Sequence, residues 1–151
     1  MSYRHLLVPV DYTGCAWEVV AHAARVADAF GASVTLLYVV APPPGTHPVA
    51  LDVEAAAELA ALRGAFARDV EVEVRHGDPV KEICAAIEAR KPDLLVMGTH
   101  ARTGLRRLVL GSVAEQVIRR SPVPVLVVRG PGTVADAPSA AWAQAQAETE
   151  G

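Results

Sequence analysis

The chain has few of the residues that staple a small protein, anchor it in a membrane or hold it on nucleic acid. Two cysteines, Cys15 and Cys84, stand in 151 residues. That is too few for a disulfide framework or a four-thiolate zinc site, and both read as buried free thiols. No run approaches the roughly 20 apolar residues that a membrane span needs. The opening MSYRHLLVPVD has an apolar stretch too short for a signal-peptide core. A cytoplasmic protein with no membrane partner is the expectation. Positive charge is in deficit, with a net charge of −3, which speaks against a non-specific nucleic-acid binder. Five histidines, His5, His22, His47, His76 and His100, are scattered, so no protein-built metal cage is expected. Aromatics make up 5%, so the core must be Val, Leu, Ile and Ala. What is present is aliphatic: 52% of the residues are hydrophobic and 21% charged, a balance that excludes wholesale disorder. The length suits one domain, able to bury roughly 70% of the surface its unfolded chain exposes.

Apolar periodicity switches repeatedly between strand and helix. HLLVPV at 5–10 is a short apolar run that reads as a buried strand. Thr13 suits a helix N-cap. Ala16, Val19, Val20, Ala23, Val26, Ala27 and Phe30 then recur at helical spacing, and Gly31 suits the C′ position. SVTLLYVV at 33–40 is a second strand, and APPPGTHP at 41–48 must be a loop. Asp52 would cap a helix running to about 67, with Leu59, Leu62 and Phe66 on one face. VEVEVR at 70–75 alternates strictly and predicts a half-exposed edge strand. Asp78 and Pro79 open a helix that Lys91-Pro92 ends. DLLVM at 93–97 is a buried strand, and a glycine-containing loop fills 98–111. Ser112 and Glu115 have the spacing of a capping box for a helix to about 120. PVLVV at 124–128 is the fifth strand.

Strands alternating with helices imply an α/β fold, a doubly wound five-stranded parallel sheet covered on both faces. The order 3-2-1-4-5 places the alternating strand at an edge and makes a Rossmann-like or flavodoxin-like three-layer sandwich. Such a sheet binds ligands beyond the carboxyl ends of the strands where the winding reverses, here strands 1 and 4. The domain spans 1–130. The remainder, 131–151, is rich in Ala, Pro and Gln and reads as a disordered tail.

The segment MGTHARTGLRRLVLGSVAE at 97–115 carries the candidate chemistry. Gly98 closes a strand, Gly104 breaks the loop, and Gly111-Ser112 opens a helix. Glycines let main-chain amides turn toward an anion and let it approach. A helix start presents free amides and the positive end of its dipole, and Arg102, Arg106 and Arg107 add charge. These features make a phosphate cradle. They are equally compatible with a surface loop in which Ser112 only caps.

This segment resembles the nucleotide loop of universal stress proteins, Gly-x-x-Gly, nine residues, then Gly-Ser or Gly-Thr. Gly98, Gly111 and Ser112 match, and Ala101 replaces the second glycine. VPVDYT at 8–13, LLYVV at 36–40, RHGDPVKEI at 75–83 and SPVPVLVVR at 121–129 resemble other parts of the family, and together they cover about 1–130. The resemblance implies binding of ATP, or of AMP or ADP. Pro9 and Asp11 would face the adenosine side, and the backbone near Val39 would read the adenine edge. Gly98, Thr99, His100, Ala101, Arg102 and Gly104 would line the phosphates, and Gly111, Ser112 and Val113 would close over them. It also implies a bridging Mg²⁺ or Mn²⁺, and a homodimer joined through the last strand, 124–128.

Two enzymatic or signalling rivals lack their residues. No Gly-x4-Gly-Lys-Ser/Thr string exists, so a P-loop kinase or ATPase is excluded. A phospho-accepting receiver would want an acidic pair near Asp11 and a lysine where Arg129 stands. No base is placed to activate water, so no enzyme with efficient turnover is expected. The remaining alternative is a nucleotide-free dimeric scaffold acting through protein partners, which Ala101 favours.

Overall fold

A computed structural model describes residues 2–10, 16–40, 48–99 and 111–129, with the backbone alone for 48–52, 54 and 55. Asp11, Thr13, Cys15, His100, Ala101, Arg102, Gly104 and the tail from 130 lie outside the described residues. The elements alternate in chain order: β1 (His5–Val10), α1 (Ala16–Phe30), β2 (Ser33–Val40), α2 (Pro48–Arg63), β3 (Val70–His76), α3 (Pro79–Arg90), β4 (Leu94–Gly98), α4 (Ser112–Arg120) and β5 (Val125–Val128). Among the described residues all strand pairs are parallel. The sheet order is β3-β2-β1-β4-β5, as the alternation of patterns predicts.

The period-two geometry of the strands divides the core into two layers. Leu6, Val8, Val34, Leu36, Leu94 and Val96 pack on one face against Val19, Val20 and Ala23 of α1 and Leu59 and Leu62 of α2. Leu7, Leu37, Leu95 and Met97 pack on the other against Ile83 and Ile87 of α3 and Val117 of α4. A strand buried on both faces has no polar side, which is why β1, β2 and β4 read as continuous apolar runs. Among the described strands β3 borders only β2, and its alternation Glu71, Val72, Glu73, Val74, Arg75 reflects that edge position.

Helix ends follow local chemistry. Gly31 takes φ 66°, a left-handed conformation that glycine adopts without a Cβ penalty. Its turn lets the Ala32 amide donate to the Ala27 carbonyl at 2.9 Å, the bond that closes a Schellman C-cap. Asp78 Oδ2 accepts from the Lys81 amide at 3.0 Å and caps α3. Asp78→Ala should cost about 1 kcal/mol, checked by urea denaturation. Lys91, with φ 48° and its amide bonded to the Ile87 carbonyl at 2.9 Å, ends α3 before Pro92.

Several expectations are corrected. α2 starts at Pro48 rather than after Asp52 and ends at Arg63 rather than near 67. Proline at a first helical position forfeits no bond, because that amide has no intrahelical acceptor anyway. Phe66 is still buried, carried there by tight turns in which Ala65 and Phe66 donate to Leu62 and Arg63 at 3.1 Å. Cys84 is half-buried rather than buried. Ser112 is not a cap: Gly111 stands at the N-cap, without a side-chain bond. Glu115 pairs instead with Arg119 at 2.8 Å, so the expected capping box does not form.

Candidate functional site

The carboxyl ends of β1, β2 and β4 form one rim of the sheet. β1 lies between β2 and β4. The chain leaving β1 goes on to α1 on one face, and the chain leaving β4 goes on to α4 on the other. Diverging in this way, the two connections leave a crevice between them. Pro9 and Val39, both half-buried, stand at this rim, and Val39 packs on the α3–α4 layer. Gly98 ends β4 in register with Val128, and the Thr99 amide donates to the Val128 carbonyl at 2.9 Å. That bond holds the start of the loop against β5.

α4 starts at an N-cap residue, Gly111, that makes no side-chain cap bond. The first intrahelical bond of the helix runs from the Glu115 amide to the Gly111 carbonyl at 3.0 Å. The amides of Ser112, Val113 and Ala114 therefore have no acceptor within the helix, and Gly111 brings no side chain to cap them. Ala114 and Val117 are buried and Val113 packs against the same layer, so the amide set is held by core packing. Ser112 is exposed. Such an end concentrates positive potential and free donors, the combination that holds a phosphate.

The structure thus brings Pro9, Val39, Gly98, Thr99, Gly111, Ser112 and Val113 to the carboxyl rim or to the helix that follows it. Asp11, His100, Ala101, Arg102 and Gly104 belong to the connections outside the described residues. No described helix is long and apolar enough to cross a membrane. Among the described residues, no group of three or more His, Cys, Asp or Glu side chains could hold a metal ion.

Of the shifted titrations, which sequence reasoning missed, His5 and Arg90 lie toward the opposite, amino-end rim and Glu73 lies in the middle of β3. Burial works against the Glu73 charge, but hydrogen bonds from Arg90 and Arg75 outweigh it and hold this carboxyl below the usual range. Hydrogen bonds to Glu71 and Glu73 raise Arg90. Burial, and then the nearby Arg90 charge, lower His5. A sequence signal existed: Glu71, Glu73 and Arg75 share one face of a strand whose partner, β2, is apolar.

The description "Universal stress protein family" matches residues 2–129. Universal stress protein MJ0531 of Methanocaldococcus jannaschii is 34% identical over 142 residues, covering 85% of this chain and 84% of the relative. Two solved structures superpose on the fold. A universal stress protein in complex with cAMP has a TM-score of 0.64 and 27% identity, over 85% of this chain and 98% of that one. The universal stress protein from Archaeoglobus fulgidus in complex with dAMP has a TM-score of 0.63 and 25% identity, over 85% and 99%. Fold, sheet order and nearly the whole described length agree, and the chain belongs to the universal stress protein family.

Proposed function

We propose that the chain binds an adenine nucleotide, ATP foremost, in the crevice beyond β1 and β4, and that it acts as a homodimeric binding module rather than an enzyme. The observation that carries this reading is the glycine N-cap of α4, Gly111, which makes no side-chain cap bond, on the helix that follows the rim where Gly98 ends β4 without a Cβ. The amides of Ser112 and Val113 would hold phosphate oxygens, and Gly98 would leave room for them. Thr99, His100, Ala101, Arg102 and Gly104 would complete the phosphate side, with Pro9, Asp11 and the Val39 backbone on the nucleoside side. Related structures hold cAMP and dAMP, both adenine nucleotides. A bridging Mg²⁺ or Mn²⁺ would neutralise phosphate charge and would be held mainly by the nucleotide and water.

The dimer would form through β5. Among the described strands this one borders only β4, and Leu126 on it is 37% exposed. An apolar edge of this kind invites a second strand. Occupancy of the crevice would then act as a conformational signal in the cytoplasm.

Calorimetric titration of the full chain with ATP and Mg²⁺ tests the reading, with a Kd expected in the micromolar range, about −8 kcal/mol. Ala101→Gly should tighten binding by up to about tenfold if the position needs a left-handed backbone, where alanine costs roughly 1–2 kcal/mol. A silent titration with either protein would favour the nucleotide-free scaffold, the reading that Ala101 supports.

A further inference from the structure

A hydrogen-bonded chain at the amino-end rim is left unused by nucleotide binding. Its centre is Thr35 of β2, 1% exposed. Two side chains reach its Oγ1: Arg90 Nη1, from the end of α3, at 3.3 Å, and His5 Nε2, from β1, at 2.8 Å. Arg90 can only donate. The Thr35 hydroxyl has one proton to place, and an enclosed donor needs an acceptor. Of its two partners only the imidazole offers a lone pair. His5 is therefore held neutral, with its proton on Nδ1 and its Nε2 accepting. Arg90 is gripped in turn by Glu71 and by Glu73 Oε2, the latter at 2.6 Å. Glu73 Oε1 accepts from Arg75 at 2.9 Å, and Arg75 reaches Glu82 at 3.3 Å. The chain runs from β1 through β2 and α3 to the edge strand β3.

We infer that this relay is a proton-sensitive latch: protonation of His5 turns Nε2 into a donor, deprives the buried Thr35 proton of its acceptor, sets a second cation beside Arg90, and loosens α3 and β3 from the amino rim. Protons have access, because a groove of about 460 Å³ opens beside the ring, lined by Thr35, Arg63, Asp69 and Glu71 among others. The groups facing His5 are Arg90 from α3, Glu71 from β3 and Asp93 ahead of β4, with Arg63 and Asp69 across the groove. Asp93 is occupied in part by the main chain, accepting from the Arg4 and His5 amides at 2.7 and 2.9 Å. Burial and then Arg90 depress the ring. A hydrogen bond with the Arg90 main chain and the charges of Glu71 and Asp93 oppose them without winning. With the folded value below the unfolded one, the latch contributes fully above about pH 6.5 and is lost as pH falls through the folded value.

Side-chain NMR titration and thermal melts of the full nucleotide-free chain between pH 7.5 and 5 test this independently of any nucleotide. His5 should show the Nδ1–H tautomer at neutral pH and a midpoint below 6.5. Melting should drop by about 2–4 °C as His5 titrates, with faster amide exchange in β3. His5→Gln, which cannot titrate, should remove that step. Thr35→Val should raise the His5 midpoint, because it removes a bond to the neutral ring. A proton on Nε2 at neutral pH, a midpoint at or above 6.5, or an unchanged pH slope in His5→Gln would each overturn the latch.

Discussion

Replacing Gly111 with aspartate should abolish nucleotide binding while leaving the fold at least as stable. Gly111 sits at φ −58° and ψ 155°, angles open to any residue, so no strain opposes a side chain. Aspartate is a favoured N-cap, worth a few tenths of a kcal/mol over glycine. Its carboxylate would bond the amides of Val113, one of the two donors proposed for phosphate, and Ala114, and would place a negative charge among the oxygens of the nucleotide. Both effects oppose binding. A loss of at least about 100-fold in affinity, roughly 2.7 kcal/mol, is expected. Calorimetry with ATP and Mg²⁺ measures the first quantity and a thermal melt the second. Wild-type affinity in this variant would remove the α4 amides from the site.

The second large effect is on the core. Leu37 is fully buried in β2 and packs with Ile83, Ile87 and Leu95. In register it lies between Pro9 of β1 and Glu73 of β3. Leu37→Ala should cost about 2–5 kcal/mol, since the strands on either side limit collapse around the cavity. Melting should fall by about 5–20 °C, and urea denaturation should show the loss with little change in slope. The same truncation at Val72, 36% exposed on the edge strand, should cost under about 1 kcal/mol. Equal losses at the two positions would contradict the burial pattern.

Most of the fold was legible because each strand and helix carries its period in one short segment. Continuous apolar runs announced β1, β2 and β4, and the alternation at 70–75 announced an edge. What failed was end chemistry. Pro48 looked like part of a loop, since proline forbids strand pairing, yet at a helix start it costs nothing. Ser112 and Glu115 have capping-box spacing, but Glu115 turned to Arg119 and left the position to Gly111. Both errors concern which residue begins a helix. The candidate site was readable as glycine spacing, and its geometry required knowing that α4 begins one residue earlier than a serine cap would place it. The relay was readable only in part: Glu71, Glu73 and Arg75 alternate onto one face of a strand, but His5, Thr35 and Arg90 are far apart in the chain, and nothing local marks them as their neighbours.

The amino-acid order alone determined an aliphatic α/β sandwich and its strand order, and its motifs carry the resemblance to the universal stress protein family. These depend on periodicity and on the placement of glycine, proline and caps, all of which act within a few residues. Tertiary structure decided which residue stands at the head of α4, which strand edges face outward, and which buried groups share a proton. Those outcomes depend on where distant segments come to rest against one another, because a lone pair or an amide acquires its partner only after packing.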